Sequence, residues 1–167
     1  MASPNCDARP DGTRIELVVV HNISLPPREF GGPAIIDLFL NRLQADEHPY
    51  YAGIADLRVS AHFLIRRDGE LIQFVSCAQR AWHAGVSNWR GRDRCNDFSV
   101  GIELEGADDI PFEGRQYAQL SALIAALRWR YPIVDVAGHS DIAVGRKTDP
   151  GPAFEWSRLI FPIKTID

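Results

Sequence analysis

The strongest constraint on this 167-residue chain is the stretch Arg14–His21, RIELVVVH. Its near-continuous apolar run, with three consecutive valines, reads as a strand buried on both faces. The longest helical signal can cover one of those faces. From Glu113 to Tyr131, residues Tyr117, Leu120, Ile124, Leu127 and Tyr131 recur at steps of three and four. Such a helix packs on a sheet, and Pro132 stops it. More strands are expected over Phe98–Gly106, over Ile133–Val136, and as a hairpin of His62–Arg67 and Glu70–Val75 turning at Asp68-Gly69. Shorter helices are expected over Ala34–Gln44 and Ala153–Ile160. With no internal repeat or interdomain linker, residues 1–167 read as a single α/β (α+β) domain, a central β-sheet flanked by helices.

Composition narrows the partners. Apolar residues make up 46% of the chain and charged residues 24%, enough for one sizeable core. A net charge of -4 argues against nucleic acid as the partner, because phosphate binding needs a basic face. No run of about 18 apolar residues predicts a membrane span, and MASPNCDARPDG lacks the regions of a signal peptide, so a cytoplasmic location is expected. Cys6, Cys77 and Cys95, odd in number and far apart, read as reduced thiols rather than a disulfide framework.

Chemistry concentrates in Ala137–Pro152, AGHSDIAVGRKTDPGP, which brings His139, Lys147 and Asp149 into one irregular segment. If the residues before Pro150 are extended, Lys147 and Asp149 face the same way. A histidine, a lysine and a carboxylate suit a hydrolytic zinc centre, although the spacing is no generic zinc pattern. Other candidates are scattered. His21, at the end of the first strand, is either a packed core histidine or a site residue. In Phe98–Gly106 the alternation puts Glu103 and Glu105 on the face opposite Phe98, Val100, Ile102 and Leu104. That face is either solvated or presents a general base to a cleft. Trp82, His83 and Trp89 share a glycine-containing loop, and either stack on a ligand or pack inward. Arg90, Arg92 and Arg94 form a solvated loop or bind carboxylates, and Arg58 reads as a surface residue or an anion binder. The loop Asn22–Pro33 and the aperiodic stretch Ala45–Leu57 are either surface connections or a wall over a cleft.

Taken together, VVVHNISLPPREFGGP, HPYYAGIADLRVSAHFLIRRDGE, RAWHAGVSNWRGRDRCNDFSVGIELEG and GHSDIAVGRKTDPGP resemble the AmpD family of bacterial N-acetylmuramyl-L-alanine amidases, nearly throughout the chain and in order. That family belongs to a wider group with peptidoglycan recognition proteins and phage amidases. The resemblance implies a mixed central sheet, one zinc ion held by His21, His139 and Asp149, and catalysis by Glu103 and Lys147. Less specifically, it implies substrate contacts at Arg58, Trp82 and Arg94. It also implies a muropeptide substrate, cleavage between N-acetylmuramic acid and L-alanine in cell-wall recycling, and a monomer. A muropeptide-binding module without turnover is the alternative, but binding-only relatives commonly lose a zinc ligand and this chain retains all three.

Overall fold

The computed structural model describes residues 1–160, so Lys164 lies outside the described residues. In chain order the elements are β1 (Cys6–Ala8), β2 (Leu17–Ile23), α1 (Ala34–Phe39), β3 (Phe63–Ile65), β4 (Leu71–Gln73), β5 (Gln79–Ala81), β6 (Asn88–Trp89), β7 (Arg92–Asp93), β8 (Ser99–Glu105), α2 (Gly114–Arg130), β9 (Asp135–Gly138) and α3 (His139–Ile142). Five strands form the central sheet in the order β4-β3-β8-β2-β9. β2 runs parallel to β8 and β9, and β3 parallel to β8, while β4 closes one edge as the antiparallel arm of a hairpin. The sheet is therefore mixed and the architecture α+β.

The valine run works as its composition suggests. Val18 and Val20 point to the face covered by α2, where Val100, Ile102 and Leu104 of β8 meet Leu120, Ile124 and Leu127. Leu17 and Val19 point the other way, into a cluster with Ala84, Cys95, Phe98, Ala137 and Ile142. α2 is tied to the sheet at its first turn. Buried Gln116 accepts from the Glu113 amide through its side-chain oxygen, and its amide group donates to the carbonyls of Ile65 and Glu105. These bonds complete the orphan backbone groups at the helix start and at two strand ends together.

Two expected helices are corrected. The one expected over Ala34–Gln44 ends at Phe39. Ser3 Oγ and Asn5 Nδ2 donate to the Phe39 carbonyl, the group that would have carried the next turn, and Asn41 sits at φ 56° with its side chain bonded to Asn5. Of the helix expected over Ala153–Ile160, a single 3-10 turn, Trp156–Arg158, is present. There the chain follows α2: Tyr117 Oη accepts from the Glu155 amide, Ser121 Oγ from the Ile160 amide, and Phe154 and Leu159 are buried. The hairpin forms where expected but its strands are shorter, with Gly69 at φ 91° in the turn.

Candidate active site

β2 and β8 pair in a register that sets His21 opposite Glu103. Partners in register share a sheet face, here the one away from α2. β9 lies on the other side of β2 and pairs Gly138 with Val20, so His139, the next residue, emerges beside His21. The ten residues after His139 turn back on themselves. The Ser140 amide donates to the Asp149 carbonyl at 2.9 Å, which returns the Asp149 carboxylate to the imidazole. Asn22 Nδ2 holds the far side of this turn through the Pro150 carbonyl and Asp108. Close approach there requires Gly151, since a Cβ would lie 2.2 Å from the Asp108 backbone and φ is 82°.

Three atoms converge as a result. His21 Nδ1 and His139 Nδ1 are 3.0 Å apart, and Asp149 Oδ2 is 3.1 Å from each. Ligands of a tetrahedral zinc ion at roughly 2.0–2.1 Å would stand about 3.3 Å from one another, so small adjustments accommodate the ion. The donor set fits as well. Burial pushes His21 down to about 4, which leaves it neutral at physiological pH. His139 Nε2 donates to the Ala84 carbonyl at 3.1 Å, which aims its other nitrogen at the cluster. Two imidazole nitrogens and a carboxylate facing one another at these distances form a donor set suited to a metal cation.

Beside this cluster lies a cavity of about 380 Å³ whose lining includes Glu103 and Lys147 as well as the three converging residues. The expectation that Lys147 and Asp149 share one pocket is met, although the segment turns, with the Lys147 amide bonded to the Ala143 carbonyl, rather than running extended. Opposite walls come from Asn22–Pro27 and from Tyr50, Ile54, Leu57 and Val59. Burial, with Asp149 adding to it, raises the pKa of Glu103 well above the usual carboxylate range, against a smaller pull from Lys147. Among the described residues Glu103 Oε2 is buried without a hydrogen-bond partner. An acceptor left bare beside a polar cavity is suited to a water or a substrate proton. Glu105, two residues on, is fully committed: it accepts from the amides of Gly31 and Arg67 and pairs with Arg66 at 3.2 Å.

Of the other expected contacts, Trp82 lines the cavity, whereas Arg58 and Arg94 are exposed and outside its lining. Arg94 pairs with Asp97, Arg90 with Asp135 and Arg92 with Glu16. Two further groups prove important: His83, which the sequence left between stacking on a ligand and packing inward, and Arg9, to which it gave no role. His83 stands 2.9 Å from His21 Nε2. Arg9, in what reads as a polar lead-in, threads under the sheet and donates to the carbonyls of Cys77, Asn96, Asp97 and Ser99. An arginine enclosed without a carboxylate leaves no local pattern, whereas the Trp82-His83 pair in a glycine loop is a visible signal.

Residues 11–152 match the family model described as N-acetylmuramoyl-L-alanine amidase. The chain is 59% identical over 159 residues to the 1,6-anhydro-N-acetylmuramyl-L-alanine amidase AmpD of Citrobacter freundii, covering 94% of this chain and 85% of that one. A crystal structure of a selenomethionine derivative of AmpD superposes with a TM-score of 0.93 at 58% identity, over 95% of this chain and 90% of that one. The Escherichia coli amidase AmiD, solved in complex with the substrate anhydro-N-acetylmuramic acid-L-Ala-D-gamma-Glu-L-Lys, gives a TM-score of 0.63 at 31% identity, over 90% and 59%. With its sheet, its cleft and these relatives in agreement, the chain belongs to the N-acetylmuramoyl-L-alanine amidase family, among the relatives of AmpD, and is an enzyme of that class.

Proposed function

We propose that this chain is one zinc amidase domain that hydrolyses the amide joining (1,6-anhydro-)N-acetylmuramic acid to the L-alanine of the stem peptide. The observation that carries this reading is the convergence of His21, His139 and Asp149 beside the bare Oε2 of Glu103. The residues that would hold the ion are those three, a two-histidine, one-carboxylate donor set of the kind catalytic zinc centres use. Zinc supplies Lewis acidity, which polarises a carbonyl and makes water acidic near neutral pH. Glu103 takes the proton from the attacking water and delivers it to the departing amine of L-alanine, so the proton given up at attack returns at bond cleavage. A raised pKa suits both halves of that exchange. The ammonium of Lys147 offsets negative charge growing on the carbonyl oxygen.

Trp82 in the cavity wall offers a flat surface to the ligand; Arg58 and Arg94, exposed outside that lining, would meet only stem-peptide carboxylates that extend beyond it. On this reading muropeptide recycling runs in the cytoplasm, by a monomer; three free cysteines suit a reducing compartment. Incubating purified protein with anhydromuropeptide and weighing the products tests the reaction, with zinc measured on the same sample. Free tripeptide or tetrapeptide and the intact anhydro-sugar are expected. Stoichiometric zinc with unchanged muropeptide would instead identify a binding module.

A further inference from the structure

We propose that His83 and Ser99 are positioning residues that lock His21 in the tautomer whose Nδ1 lone pair faces His139 and Asp149. The inference rests on the zinc reading above, and it follows from counting hydrogens. Ser99 Oγ is 2.6 Å from the Cys95 carbonyl, which can only accept, so the single hydroxyl hydrogen goes there. The same Oγ is 3.1 Å from His83 Nε2 and has only acceptor capacity left, so Nε2 of His83 carries a hydrogen. The ring's two nitrogens each meet a single near partner, Ser99 Oγ at Nε2 and His21 Nε2 at Nδ1, so one hydrogen on Nε2 and a lone pair on Nδ1 satisfy both contacts. Its Nδ1 is then bare and must accept from His21 Nε2, at 2.9 Å. That leaves Nδ1 of His21 without a hydrogen, aimed at the cluster. A hydroxyl directed by a backbone carbonyl thus decides, two rings away, which nitrogen is free to bind metal.

A second, independent feature is the seat of the ring. A Cβ at Gly101 would fall 2.4 Å from His83 Cγ and 2.6 Å from its Nδ1, so the ring lies where any side chain on β8 would strike it. Alternate residues of one strand face therefore do three jobs: Ser99 directs the hydrogen, Gly101 makes the room and Glu103 faces the cavity. His62 braces the far side, accepting the Gly101 amide at 3.0 Å, with ring centroids 5.8 Å from His83. Asn96 Oδ1 accepts the amides of both His83 and Ala84 and fixes the loop. Since the Ala84 carbonyl orients His139, one short loop sets both imidazoles, one through a ring and the other through its backbone.

The test separates hydrogen bonding from packing. Zinc affinity is measured by competition with a chelator for wild type, His83→Phe, His83→Asn and Ser99→Ala, with folding checked by circular dichroism. His83→Phe fills the space without an acceptor and should bind zinc about 10- to 100-fold more weakly. His83→Asn, whose amide oxygen can take the place of Nδ1, should recover most of that loss, and Ser99→Ala should show a smaller one. In 15N-histidine-labelled wild type, two-bond correlations should show His83 protonated at Nε2, with or without metal. A folded His83→Phe with wild-type zinc affinity, or a wild-type His83 protonated at Nδ1, overturns the proposal. If His83→Phe does not fold, the wild-type spectrum decides alone. Should wild type hold no zinc, the amidase mechanism fails, while the tautomer of His83 remains readable in its own right.

Discussion

Glu103 and Lys147 differ in how much water reaches them, and that difference shapes what each substitution should do. Glu103 is buried with one oxygen unpartnered, so Glu103→Gln alters hydrogen bonding but little volume. Turnover should fall about 10²-fold or more while zinc content stays stoichiometric, because the variant keeps His21, His139 and Asp149 and loses only the base. Metal analysis beside steady-state kinetics checks both halves; loss of zinc would mean that Glu103 supports the metal rather than the proton. Lys147 is exposed, one of only two lysines among 18 basic residues, in a chain that otherwise uses arginine. Lys147→Arg keeps the charge, but its planar fork is broader than an ammonium and can engage Asp149 through two nitrogens. A loss approaching 10²-fold in kcat is expected, with zinc retained. Near wild-type kcat would show that charge alone suffices there.

β8 carries its two glutamates to opposite ends of the same task, and the consequences of altering them should diverge. Glu105 anchors Gly31, Arg66 and Arg67, holding the Asn22–Pro33 loop against the end of β3. Glu105→Gln leaves Arg66 facing a weaker partner in a buried setting, and should cost about 1–3 kcal/mol of stability with the catalytic rate much less affected than in Glu103→Gln. Urea midpoints and kcat measured on the two variants together would show the contrast; equal losses of rate would mean the loop position controls the chemistry. Elements written in local pattern were legible: the valine strand from its run, α2 from its three-four spacing and Pro132, the hairpin from Asp68-Gly69. The end of α1 was not, because Ser3 and Asn5 decide it from more than thirty residues away. Neither could alternation tell Glu103 from Glu105. Both face the same way, and only the loop that covers one of them makes the difference. His139 and Asp149 shared one legible segment, but His21 was joined to them only by resemblance, since 118 residues separate the two imidazoles.

Across the molecule, four of the five histidines stand in a row, His62 to His83 to His21 to His139, with ring centroids 5.8, 5.0 and 4.4 Å apart. Such a row resists acid poorly. Burial, and then Arg9, push His62 down to about 3, whereas an unfolded histidine takes up its proton near 6.5. Between those values the unfolded chain binds the extra proton, so stability is complete above about pH 6.5 and is lost as pH falls towards 3. His62 alone should account for roughly 2 kcal/mol by pH 5. Urea unfolding from pH 7.5 to 4.5 in the presence of a chelator should show the decline, and His62→Asn, which can still accept the Gly101 amide, should flatten it. An unchanged slope would place the titration elsewhere. The parallel register has a consequence of another kind, in time rather than in space. His21 lies on β2 and His139 directly follows β9, strands that become neighbours only when β9 docks on β2, so the metal meets both rings only after that docking. Zinc should therefore be captured after the barrier to folding is crossed. In refolding experiments it should leave the folding limb of the chevron where it was and slow only the unfolding limb, making the ion a brake on departure rather than a guide to arrival.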